Sequence, residues 1–350
     1  MKTTIVTTTI HVPYFLKAYA DDALRYGHDV NFIVIGDNKT PKEARTFCET
    51  IPNCAYQGIF EQAVYMQKFP ELARHIPYDS FERRDIGLLM AYEQGADVII
   101  TIDDDNLLAT QDVLGWHDIV VRGKVELPIY SSTSGWFNVC SMLKEENDIE
   151  FYHRGYSPRH RWEKNAYIDS QIVYGNVVVN AGLWFNNPDT DAITRLERKL
   201  NVTGFKIPDS DDCGSLGLAP GTWSPFNCQN TALAREVIPA YFMSPYTGRH
   251  SDIFASYVIN RIAEHFGDVV AFGLPLSNHE RSHHNLWHDV ELERDGMQRT
   301  DEFCDALRSI KLTGKSYHEC FGEISRQLKG FDKITEGMLI WHDVFERITR

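Results

Sequence analysis

The run Val98-Ile99-Ile100-Thr101-Ile102 stops abruptly at three aspartates, Asp103-Asp104-Asp105. So short an apolar, β-branched run, bounded upstream by Gly95, reads as a fully buried strand. In open α/β sheets, ligands bind just beyond the carboxyl ends of the strands. Carboxylates crowded there repel one another at a few Å. A divalent cation removes that cost, and hard oxygen ligands suit Mg²⁺ or Mn²⁺. An Asp-rich turn is the ordinary alternative. Position at a strand end favours a metal-assisted site.

The flanking sequence supports an α/β architecture. Thr3 to Thr9 is β-rich, and Pro13 opens a helix that runs to about Arg25 and ends at Gly27. Asn31 to Ile35 is a second strand, Thr40-Pro41 starts a helix to about Thr50, and a helix over 80–94 precedes the aspartate-tipped strand. Strand–helix–strand at this spacing predicts a mixed, mostly parallel sheet flanked by helices. Residues 127–135 and 177–186 read as further strands, and 253–266 as a helix. Residues 206–230 are loop-rich, with closely spaced Pro and Gly, and are expected to form a functional loop such as a lid. Two apolar stripes near the C-terminus, Tyr317/Phe321/Ile324/Leu328 and Met338/Trp341/Phe345/Ile348, predict packing or subunit contacts, hence a possible homo-oligomer. The expected division is an α/β catalytic body over 1–300 and a C-terminal helical extension over 301–350, packed on the body or mediating association.

Composition weighs against several function classes. With 35 Lys+Arg against 49 Asp+Glu the formal charge is -14, a poor match for nucleic-acid phosphates. The seven cysteines are odd in number, scattered and without C-x-x-C, which argues against a disulfide framework and for a reducing compartment. No apolar stretch nears the ~20 residues needed to span a bilayer. These features lead to the expectation of a soluble, cytoplasmic protein. P-loop, G-x-G-x-x-G and G-x-S-x-G motifs are absent, which lowers the weight of NTPases, classical dehydrogenases and α/β-hydrolases.

Other residues can join the aspartates at the sheet edge. Gly36-Asp37 ends the second strand, where a carboxylate can accept hydrogen bonds from a ribose or base; a plain turn explains it equally well. Arg83 and Arg84 fall in a first helical turn, where a nearby phosphate would offset their conflict with the helix dipole. Asp252 precedes a helix and is a natural cap. His279, His283, His284 and His288 crowd one loop, and one of them can complete the coordination of a metal held by the aspartates. Residues 154–161 are densely basic, from Arg154-Gly155-Tyr156 to Arg161.

These pieces, in this order, resemble the reversibly glycosylated polypeptides of plants, the UDP-arabinopyranose mutases, a family with a glycosyltransferase type A fold. The resemblance rests on Thr101-Ile102-Asp103-Asp104-Asp105; on Gly182-Leu183-Trp184 followed by Asn186, Pro188, Asp189 and Asp191; and on Gly221-Thr222, Arg249, Asp252, Gly273-Leu274-Pro275 and His279. It implies that Asp103 and Asp105, with His279 as a third ligand, hold Mn²⁺ or Mg²⁺ against the diphosphate of a UDP-sugar. Asp104 and Trp184 would belong to the same nucleotide-sugar pocket, Asp37 would lie at the nucleoside and Arg84 near the nucleotide. Asp252 would act as a base or stabilise a cationic sugar, and Arg161 falls where the family is glycosylated. Ile35 and Ser251 replace aspartates of the family pattern, and the residues flanking Arg161 differ from it. The expectation is a metal-dependent, glycosyltransferase-type enzyme using a nucleotide sugar and an unidentified acceptor. The alternatives are a pyranose/furanose mutase and a non-catalytic, self-glycosylating or nucleotide-sugar-binding scaffold.

Overall fold

A computed structural model describes residues 1–163, 167–205, 214–281 and 285–349. Strands β1 (Thr3–Thr9), β2 (Val30–Gly36), β3 (Cys54–Gln57) and β4 (Val98–Ile102) run parallel in the order β3-β2-β1-β4. Every residue of β4 is buried, as its unbroken apolar run requires. The helix Leu16–Tyr26 closes at Gly27, whose φ of 74° is the left-handed conformation glycine accepts without a Cβ penalty. The helix Arg84–Glu93 lies tightly on β1, because Gly87 leaves room for Val6 where a Cβ would collide.

The second half of the sheet is mixed. It contains β5 (Asn106–Leu108), β6 (Lys124–Ser132), β7 (Leu143–Glu145), β8 (Tyr167–Asn186), β9 (Val202–Phe205), β10 (Ser215–Leu218), β11 (Asn230–Ala234) and β12 (Val269–His279). β11 lies antiparallel between β4 and β8. The first half of β8 pairs with β6, and its second half pairs with β11 and β12. The α/β class, mixed sheet and helical C-terminal region agree with expectation.

Several local expectations change. The helix expected from Pro13 starts at Leu16, and that expected from Pro41 starts at Glu43. The strand read at 177–186 is the second half of the longer β8. The loop expected at 206–230 is no lid over its described part: it holds β10, and Trp223 and Phe226 are buried in the core. Residues 206–213 lie outside the described residues. Apolar bulk outweighed the Pro/Gly signal here.

The C-terminal stripes are spent inside the chain. The helix Leu286–Ser309 runs through residue 300, and the helices Tyr317–Gln327 and Asp332–Ile348 follow. Phe321, Ile324, Met338, Trp341 and Phe345 are buried. Trp341 lies 5.5 Å from the ring of Phe242, and Phe345 lies 4.9 Å from that of Tyr92. These residues therefore offer no face to a second copy. Among the described residues, Cys48, Cys54, Cys140, Cys228, Cys304 and Cys320 are free thiols, and no helix is long and apolar enough to cross a membrane.

A candidate cation and nucleotide cleft

The carboxyl ends of β1, β2 and β4 open into a cleft of about 320 Å³. Thr8, Thr9, Asp37, Arg84, Asp103, Asp104, Asp105, Asp252 and His279 all line it, as do Arg83, Arg154, Arg249 and Arg281. The site thus lies where a parallel sheet is expected to place one.

The three aspartates occupy a turn closed by Asn106 N–H donating to Asp103 O (3.1 Å). They face different partners. Asp103 Oδ1 accepts from Arg84 Nη2, Asp104 Oδ2 accepts from Thr9 Oγ1 at 2.6 Å, and Asp105 Oδ1 accepts from Asn106 Nδ2 at 3.0 Å. Burial pushes Asp103 up to about 6; Arg84 opposes this, and repulsion from Asp105 and Asp104 adds to it. Asp104 is also raised by burial and by Asp105, against the pull of Thr9. For Asp105, burial is outweighed by the hydrogen bond and charge of His279, by Arg281 and by Asn106, so its carboxyl lies below the usual range.

Sheet register brings His279 to this turn. β12 pairs antiparallel with β5, placing His279 opposite Asn106, and Glu280 N–H donates to Asp105 O at 2.9 Å. His279 Nδ1 lies 2.6 Å from the carbonyl oxygen of Asn187, which can only accept, so Nδ1 carries the proton. In the neutral ring, Nε2 then presents a lone pair to Asp105 Oδ2 at 3.3 Å. Two electron-rich atoms facing each other need a proton or a cation between them. A backbone carbonyl fixing the far nitrogen is the usual support of a metal-binding histidine. Asp105 and His279 therefore form a donor pair that fits a divalent cation, and the Asp103 carboxylate, in the same turn, is held by Arg84.

Arg84 is buried and spends its guanidinium on protein groups. Nη1 donates to Cys228 O (2.8 Å), and Nη2 donates to Thr8 Oγ1 (2.9 Å) and to Asp103. It holds Asp103 in place. Asp37 ties the end of β2 to the opposite wall: its Oδ2 accepts from Ser80 N–H (3.1 Å) and its Oδ1 from Asn38 N–H (2.9 Å).

Asp252 does not sit free as a base. Arg154 Nη1 and Nη2 donate to its two oxygens at 3.0 and 2.9 Å. The same guanidinium donates through Nε and Nη2 to Asp189, at 3.0 and 2.9 Å to Oδ1 and Oδ2. Burial works against both carboxylates, but the charge of Arg154 outweighs it and holds both below the ordinary range, Asp189 far below. Asp252 is thus a fixed anion and a weak proton acceptor. Along the sequence Arg154 stands out as the start of the basic run 154–161, with nothing to mark its buried partners. The partners are 98 and 35 residues away, and no local pattern links them.

Two expected site residues are not brought to the cleft. Trp184 is buried in the core, its ring 5.2 Å from that of His153, and it is not among the lining residues. Arg161 also lies off the cleft, its Nη2 donating to buried Asp191 at 2.6 Å. His288 is exposed beside Glu291, and His283 and His284 lie outside the described residues. Arg249 and Arg281 were missed as cationic wall residues. The His279-x-Arg281 spacing, which keeps to one side of an extended chain, was the available signal for the latter.

Fold and site together define an α/β protein with an acidic cleft at its strand ends, in agreement with the type A glycosyltransferase layout that the resemblance implies. The family model "Reversibly glycosylated polypeptide" matches residues 3–348, and the chain belongs to this family. It is 28% identical over 189 residues to UDP-arabinopyranose mutase 1 of Arabidopsis thaliana, an alignment covering 49% of this chain and about half (51%) of that protein. It is also 28% identical over 267 residues to a probable UDP-arabinopyranose mutase 1 of Pisum sativum, covering 71% of this chain and 68% of that one. Among solved structures, glucosyl-3-phosphoglycerate synthase from Mycobacterium tuberculosis matches with a TM-score of 0.45 at 10% identity, covering 87% of this chain and 80% of that one.

Proposed function

We propose that this protein binds a UDP-sugar in the cleft and interconverts ring forms of the sugar, the activity for which its relatives are named. Mn²⁺ or Mg²⁺ would be held by Asp103, Asp105 and His279, and the bound cation would neutralise charge on the diphosphate as a Lewis acid. The reading is carried by the pairing of two sites in one cleft: a cation donor set, and a carboxylate locked by Arg154. Arg84 keeps Asp103 oriented and favours its ionised form. Asp37 faces the nucleoside end. Asp252, held ionised, stabilises positive charge on the sugar ring as its bond to phosphate breaks. In ring interconversion the same diphosphate recaptures the sugar: the bond from C1 to the O5 ring oxygen breaks, one from C1 to O4 forms, and the proton lost by the O4 hydroxyl is balanced by the one gained at O5, so no separate acceptor is consumed.

The test is to incubate the protein with UDP-arabinopyranose and Mn²⁺ and to follow the furanose form by chromatography. Parallel arms contain EDTA or the Asp105→Asn variant. Ring interconversion that requires Mn²⁺ and Asp105 is expected. The absence of both interconversion and UDP release across a panel of UDP-sugars would overturn the enzymatic reading in favour of a binding scaffold. Full activity in EDTA would overturn the cation assignment.

A further inference from the structure

Arg281 stands two residues after His279 and lines the same cleft. Its Nε and Nη1 are buried and have no hydrogen-bond partner among the described residues. Neighbouring arginines of the cleft are engaged: Arg84 with Asp103, Arg154 with Asp189 and Asp252, and Arg249 with Glu293 (3.3 Å) and Asp289 (3.7 Å). Its guanidinium is charged at neutral pH. Buried, charged N–H groups without partners are costly, and a guanidinium fork is best satisfied by two oxygens of a phosphate or carboxylate. Arg281 lines the cleft together with Asp103, Asp105 and His279, so its guanidinium shares a wall with the proposed cation site.

We propose that Arg281 binds the sugar-proximal phosphate of the nucleotide diphosphate and makes the cleft selective for nucleoside diphosphates over monophosphates. The inference rests on the nucleotide-sugar reading above and adds a residue that reading does not need. When the bond between the anomeric carbon and the phosphate oxygen breaks, its electron pair stays on that oxygen. The diphosphate gains one negative charge and the sugar one positive charge. Arg281 meets the gain on the phosphate while Asp252 faces the sugar, so the two side chains stabilise opposite ends of the breaking bond. A nucleoside monophosphate has no second phosphate and leaves the Arg281 fork unfilled.

Calorimetric titration of UDP and UMP into wild type, Arg281→Gln and Arg281→Lys, each with Mn²⁺ and with EDTA, tests this. Wild type is expected to bind UDP more tightly than UMP. Arg281→Gln is expected to weaken UDP by roughly 10- to 100-fold, the range for losing charge-assisted hydrogen bonds, while UMP binding stays within about twofold. Preserved UMP binding also shows that the variant is folded. Arg281→Lys keeps the charge without the fork and should fall between the two; it supplies the comparison if the Gln variant does not fold. Equal losses for UDP and UMP in a folded variant, or no loss for UDP, overturn the role of Arg281. A wild-type protein that binds neither nucleotide overturns the nucleotide-sugar reading, and this inference falls with it.

Discussion

Replacing Arg154 with methionine removes the guanidinium from between two buried carboxylates and leaves an apolar stem that reaches about as far as Nε. Asp189 is 0% exposed and Asp252 2% exposed. Among the described residues Asp189 would keep Asn227 Nδ2 at 2.8 Å, and Asp252 would keep Ile253 N–H at 2.9 Å and Cys228 N–H at 3.4 Å. Breaking a buried ion pair from one side costs about 3–5 kcal/mol, and that is the expected loss of stability at pH 7.5. The pH dependence gives the sharper test. In the wild type both carboxylates titrate below their unfolded value. Their stabilisation is therefore present above an unfolded pKa of about 3.9 and is lost as pH falls through the lower folded values. In the variant burial acts without the cation, so both folded pKa values move above the unfolded ones. The folded variant then takes up protons that the unfolded chain does not, and acidification from pH 7.5 to 5 stabilises it relative to the wild type. The difference in stability should shrink by about 1.5–3 kcal/mol over that range, given 1.36 kcal/mol per pKa unit. Urea denaturation of both proteins at pH 7.5, 6 and 5 measures it. Adding Asp252→Asn to the variant should recover about 1 kcal/mol or more at pH 7.5. A loss below about 1 kcal/mol at pH 7.5, or a difference that does not shrink on acidification, would refute the electrostatic lock.

Two further predictions concern what positions the cleft. In Gly182→Ala the new Cβ would collide with Asn230 Nδ2 and the Pro275 carbonyl, beside the β8–β12 irregularity that leads to His279; it should destabilise the protein by about 1–3 kcal/mol and weaken Mn²⁺-dependent UDP binding, and wild-type values of both would sink the argument. Trp341→Ala, at a fully buried position against Phe242, should cost about 3–5 kcal/mol in denaturation while leaving the elution volume in size-exclusion chromatography unchanged; a changed oligomeric state would show that this stripe serves association.

Much of the cleft was legible because local rules sufficed for it. The five apolar residues of β4 dictate a buried strand, and the aspartates after it then fall at a carboxyl end whatever the remaining topology. Asp37 follows β2 by the same logic, and all these residues line one cleft. The Gly182-Leu183-Trp184 segment was rightly prominent but wrongly placed. Its glycine permits a close approach of chains and its tryptophan fills the core, so the motif supports the site from behind. The 206–230 segment misled because Pro and Gly density reports on local backbone preference, whereas Trp223 and Phe226 respond to the whole core.

By itself, then, the sequence determined the α/β class, the acidic strand end and the family, because periodicity, strand-end chemistry and an ordered motif set are all readable along one chain. Tertiary structure alone decided which charges meet. Antiparallel pairing of β12 with β5 delivers His279 to Asp105, 174 residues away, and packing sets Arg154 between Asp189 and Asp252. It also leaves two buried nitrogens of Arg281 facing no described partner. Whether a carboxylate acts as ligand, base or fixed anion depends on the nearest opposite charge and on how much water is excluded, and both are set by sheet register and core packing.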